Sequence, residues 1–106
     1  MSKEQIEQIK RVRQMETLLN RVSIAVKRLS AALDKYEEVQ DAIAVLNDYY
    51  GGDLWRNDFV DDEAGLLPND LKRGVLSEDA VWNLLSDYDE LNSRLQEFAD
   101  TNKKNL

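Results

Sequence analysis

Five carboxylates, Asp53, Asp58, Asp61, Asp62 and Glu63, crowd one short stretch in the middle of the chain. Oxygen donors of that density suit magnesium, manganese or calcium. Their spacing does not. An EF-hand loop needs acidic ligands at its positions 1, 3 and 5, glycine at 6 and glutamate at 12. The paired E-x-x-E and E-x-x-D of helical pyrophosphohydrolases is matched in letters by Glu4-Gln-Ile-Glu7 and Glu38-Val-Gln-Asp41. These two groups sit too far apart on one helical stretch to converge. A carboxylate-metal hydrolase using Mg or Mn is therefore the alternative reading, and a solvated acidic surface the main one.

Other chemistry is restricted by composition. There is no histidine and no cysteine. That removes the commonest general base, the commonest transition-metal ligand, thiol chemistry and disulfides. No catalytic, cofactor or metal residues are assigned.

The second chemical candidate is basic. Arg21, Arg28 and Lys35 recur every seven residues along one edge of an apolar stripe, with Lys10, Arg11, Arg13 and Lys27 nearby. A basic helix can sit on phosphates. Residues 1–35 carry 8 basic and 4 acidic residues, net +4, whereas residues 36–106 carry 6 and 17, net −11. The acidic remainder would repel a nucleic acid, and charges flanking an apolar seam commonly make interhelical ion pairs. No nucleic-acid partner is expected. Ends of opposite sign point instead to pairing within one chain or between two.

The elements that would position these residues are helical. Ile6, Ile9, Val12 and Met15 recur every three residues, and Met15, Val22, Leu29, Tyr36, Ile43 and Tyr50 every seven. Leu18, Ala25, Ala32, Val39 and Leu46 follow three residues after the first five of the latter. This spacing predicts one amphipathic, coiled-coil-like helix over 3–49, roughly 70 Å long. Ser23 and Ser30 are its weakest points.

Gly51 and Gly52 stop that helix. A turn-rich segment with short helices follows over 50–76, in which Asp53 is the expected cap of one helix and Pro68 opens a turn closed by Gly74. Ser77 is the expected N-cap of a last helix over 77–100, with Glu78 and Asp79 at its positive end. Val81, Leu84, Leu85, Tyr88, Leu91, Leu95 and Phe98 form its apolar face, and Thr101 to Leu106 fray. Tyr49, Tyr50, Trp55, Phe59 and Trp82 are expected to fill the space where helices of unequal length meet. The class is all-α: a single helical domain in which the last helix packs back antiparallel as a hairpin or bundle.

The joint between these helices carries a recognisable pattern. Tyr49-Tyr50-Gly51, Trp55, Asp58, Asp62-Glu63-Ala64-Gly65, Pro68 and Leu71-Lys-Arg-Gly-Val-Leu-Ser-Glu-Asp79 resemble a family of small bacterial proteins, domain of unknown function 4298. The resemblance spans nearly the whole chain. One departure is Gly52, where the family pattern has a capping serine. The resemblance implies a helical fold and a bacterial cytoplasmic setting, and no catalytic role. Tyr50, Trp55, Asp58, Lys72, Arg73, Glu78, Asp79 and Trp82 form a candidate interaction surface in and beside this middle segment. Read locally, most of those residues are caps and turns, with Lys72 and Arg73 available to pair with Glu78, Asp79 or the run Asp61-Asp62-Glu63.

The helix lengths do not match. The last helix reaches only half of the first, which leaves Ile6, Ile9, Val12, Met15, Leu18, Leu19 and Val22 as an uncovered stripe. Either the first helix folds on itself near Ser23 or Ser30, or a second chain covers it. The expectation is a cytoplasmic, self-associating module, a dimer first, that binds a further protein. No apolar run approaches the roughly 20 residues of a bilayer span, and the charged opening Met-Ser-Lys-Glu-Gln-Ile-Glu is unlike a secretory leader.

Overall fold

The computed structural model describes residues 1–104. Among them are four α-helices, one 3₁₀ turn and no strand, so the all-α class holds. The chain divides into two compact units, Met1–Gln40 and Asp41–Leu106.

The first unit is α1, Lys3–Glu38. Its start is a capping box. The Ser2 hydroxyl accepts from the Gln5 N–H at 3.2 Å, and the Gln5 side chain accepts from the Ser2 N–H at 2.9 Å. Two free backbone donors are thereby satisfied reciprocally. Glu4 in the first turn and Lys35 in the last oppose the helix dipole. At 1.5 Å per residue the helix is about 54 Å long. None of its residues is buried.

The expected single helix over 3–49 is interrupted at Val39, not at Ser23 or Ser30. α2 resumes at Gln40 and runs to Tyr49. The Gln40 side-chain amide donates to the Tyr36 carbonyl at 2.8 Å. In an unbroken helix that carbonyl accepts from the backbone N–H of residue 40, so the side chain competes with the ladder at this step. Ser23 and Ser30 lie well inside α1 and do not disturb it.

The second unit is built of short elements and one long one. Gly51 takes a left-handed φ of +77° beyond the end of α2, a conformation glycine adopts without strain. α3 is Asp53–Glu63. Its N-cap is Gly52, with no side-chain bond, and Asp53 lies inside the helix rather than capping it. α3 ends in a Schellman motif: the Gly65 N–H donates to the Asp62 carbonyl and the Leu66 N–H to the Asp61 carbonyl, each at 3.0 Å, with Gly65 at φ +72°.

Pro68 begins a turn through Leu71, whose N–H donates to the Pro68 carbonyl at 3.2 Å. Gly74 opens the 3₁₀ turn Gly74–Leu76 instead of closing the preceding one. α4 is Ala80–Lys104. It continues through residues expected to fray; residues 105 and 106 of that tail lie outside the described residues. The expected core is small. Among the described residues, Leu76 and Val81, at 6% and 4% exposure, are the buried apolar side chains. On α4 the more covered positions, Val81, Leu85, Tyr88, Asn92 and Leu95, alternate four and three apart, the spacing of a coiled-coil seam.

Candidate functional site

The region bearing the family-like pattern is a joint, built from the end of α2, all of α3, the turn after it and the start of α4. Each polar anchor in it closes a gap between elements that the chain itself leaves loose.

Tyr50 spans the joint. Its hydroxyl donates to the Glu78 carbonyl at 3.0 Å, which holds the C-terminal end of α2 at the start of α4. An end-to-start junction of that kind is the turn of a helical hairpin. Trp55 closes a second gap. Its indole Nε1 donates to the Val75 carbonyl at 3.0 Å, tying α3 to the 3₁₀ turn. The ring meets Tyr50 edge-on, with centroids 5.2 Å apart and planes at 74°. It stacks on Phe59 at 5.2 Å and 20°. Both are favoured aromatic geometries.

Arg73 closes the third gap. Nη1 pairs with Asp62 Oδ1, Nη2 donates to the Pro68 carbonyl, and Nε donates to the Leu71 carbonyl at 3.3 Å. The guanidinium fork thus joins the last turn of α3 to the loop that follows it. A compact ammonium has no such reach. Ser77 then couples the 3₁₀ turn to α4: its hydroxyl donates to the Gly74 carbonyl at 3.0 Å and accepts from the Ala80 N–H at 3.1 Å. This is the expected cap, although regular helix begins three residues later.

Tyr49 joins α2 to α3. Its hydroxyl donates to Asp58 Oδ2 at 2.6 Å. That hydrogen bond comes first, with desolvation and repulsion by the carboxylate behind it, in pushing the phenol up from 10.0 to about 12. The carboxylate stabilises the neutral phenol. A phenol held protonated in this way is the reverse of an activated nucleophile.

The structure therefore brings together Tyr50, Trp55, Asp58 and Arg73 of the expected surface, but as internal fastenings. Glu78 contributes its backbone carbonyl, and Asp79 offers its own carbonyl to the Asn83 N–H at 2.8 Å. Lys72, Glu78 and Asp79 have exposed side chains. Trp82 corrects an expectation: it is 59% exposed and does not fill the core. Val81 takes that place. Sequence reasoning passed over the Tyr49–Asp58 pair. Its signal was a tyrosine and an aspartate flanking a glycine turn, which is weak. It also missed the Ser2/Gln5 box, whose S-x-x-Q spacing was legible.

The carboxylates considered for metal binding are placed otherwise. Asp58 receives Tyr49, Asp62 receives Arg73, and exposed Asp53 lies 3.8 Å from Arg56. Among the described residues, no group of three or more potential ligands is arranged to hold a metal ion. No helix among them is long and apolar enough to cross a membrane.

The stripe on α1 lies open. Ile6, Ile9, Val12, Met15, Leu18, Leu19 and Val22 are between 37% and 61% exposed.

Residues 12–98 match the family model described as domain of unknown function, DUF4298. That covers most of the chain and the whole joint, and the chain belongs to this family. No curated protein and no solved structure matches it.

Proposed function

We propose that this chain is a non-catalytic, protein-binding helical module, and that its first partner is a second copy of itself, joined through α1. The observation that carries this reading is the uncovered stripe from Ile6 to Val22. Seven large exposed apolar side chains along one helix are a costly surface to leave in water at about 25 cal/mol per Å². A symmetric dimer is the commonest closed way to cover such a stripe. The joint serves as the rigid end of the module, and its exposed rim, Lys72, Glu78, Asp79 and Trp82, is the surface left for a different protein. An exposed tryptophan beside charged residues supports that role.

Light scattering on a sizing column tests the reading. The wild-type chain is expected to run at twice its 12.2 kDa mass over a range of concentrations. Met15→Glu combined with Val22→Glu puts charge on the stripe and should return the chain to single mass. Wild-type protein at single mass at every concentration sinks the self-association reading.

A further inference from the structure

α4 carries two apolar rows, and only one of them is covered. The covered row runs through Val81, Leu85, Tyr88, Asn92 and Leu95. The other is Leu84, Leu91 and Phe98, seven residues apart, at 45%, 38% and 63% exposure. Residues seven apart on a helix lie on one line along it. Beside this second row, Asp87 and Arg94 stand three residues after Leu84 and Leu91, and Glu90 and Glu97 one residue before Leu91 and Phe98; all four are exposed and three of them are acidic.

α1 presents the complement. Leu18 and Ala25 continue at the same seven-residue spacing to Ala32, and all three are exposed. Three residues after each stands a basic side chain: Arg21, Arg28 and Lys35, also exposed. The alanines let a facing helix approach closely. One helix thus offers an apolar row with a basic rim, and the other an apolar row with a mostly acidic rim, at matched spacing.

We infer that the uncovered row of α4 is the seat for α1 of a second copy, with Arg21 and Arg28 facing Glu90 and Glu97 across the contact. This deepens the self-association reading and rests on it. In a two-fold dimer the contact occurs twice, since each copy supplies both halves. Pairing of α1 with α1 would instead set basic rim against basic rim, which like charges oppose.

A charge-exchange experiment on the full chain tests this. One variant carries Arg21→Glu and Arg28→Glu, the other Glu90→Arg and Glu97→Arg. All four positions are exposed, so circular dichroism should show unchanged helicity. Each variant alone is expected to dimerise at least about tenfold more weakly than wild type, because both copies of the contact then set like charges together. An equimolar mixture should form the mixed dimer in preference to either homodimer, read by native mass spectrometry, because both contacts are then complementary again. A Glu90/Glu97 variant that dimerises as tightly as wild type overturns the α1–α4 pairing while the self-association reading stands. So does a mixture with no preference for the mixed species. Wild-type chain that is monomeric throughout removes both.

Discussion

α1 and the joint use their apolar residues in opposite ways. α1 has 36 residues, a sustained apolar stripe and no buried side chain. The joint, from Tyr49 to Trp82, is shorter and irregular, yet it contains hydrogen bonds that connect distant parts of the chain: Tyr50 to Glu78, Trp55 to Val75 and Arg73 to Asp62. Both regions are rich in apolar residues. What separates them is whether the chain returns upon itself. At the joint it turns at Gly51, Gly65 and Pro68, so the side chains of one element meet the backbone of the next. Along α1 it does not turn at all, and the side chains of the stripe stay exposed. Regular periodicity makes a helix, but it takes turns to make a core.

The comparison breaks most visibly if the joint does not depend on its own interior. Leu76 is one of the two buried apolar side chains among the described residues. Leu76→Ala removes its packing and leaves a gap between α3 and α4, so we expect a loss of about 2–4 kcal/mol. Both tryptophans, Trp55 and Trp82, belong to the second unit, so urea unfolding followed by tryptophan fluorescence reads that unit. The midpoint should fall sharply. An unchanged midpoint would mean that the joint is no core and that the contrast with α1 is false.

The Arg73 fastening is expected to weigh less. Its side chain is 35% exposed and that of Asp62 18%, so solvent screens part of the ion pair. Arg73→Ala also takes a donor from the Pro68 and Leu71 carbonyls. A loss of about 1–2 kcal/mol is expected in the same assay. Arg73→Lys should recover little of it, because one ammonium cannot serve both Asp62 and the Pro68 carbonyl. Full recovery by lysine would show that charge alone holds the α3 end, and would place the joint's order in its apolar contacts.

Much of this was legible beforehand, for reasons that differ by element. The helical stretches expected over 3–49 and 77–100 follow from heptad spacing, which is a local property of the sequence. The stops at Gly51 and Gly65 and the Ser77 cap follow from turn chemistry, which is equally local. The interruption at Val39 was hidden because it depends on which way one side chain points: Gln40 reads as an ordinary helical residue until its amide is found on the Tyr36 carbonyl. Trp82 misled for a related reason. It neighbours Val81 in sequence, but a step of one residue turns 100° around a helix, and that step carries it out of the covered row. The fastenings of the joint were the least legible part. Most of them join side chains to backbone carbonyls far along the chain, and a carbonyl has no letter in the sequence.

The smallest effect offers the finest test of the joint, because it can be read at a single side chain. The Tyr49 phenol is held up at about 12 by its hydrogen bond to Asp58. In the unfolded chain it should titrate near the ordinary 10. Between those values the folded state keeps a proton that the unfolded state has lost. The contribution of the pair is therefore complete below about pH 10 and is lost as the pH rises through about 12. Phenolate absorbance in the folded chain should show a late-titrating step from Tyr49. Tyr49→Phe should abolish that late step and cost about 0.5–1 kcal/mol at neutral pH. If the late step survives in Tyr49→Phe, the raised group is another tyrosine. The link between α2 and α3 would then rest more on the contact of Trp55 with Tyr50, and the joint would be held chiefly by packing.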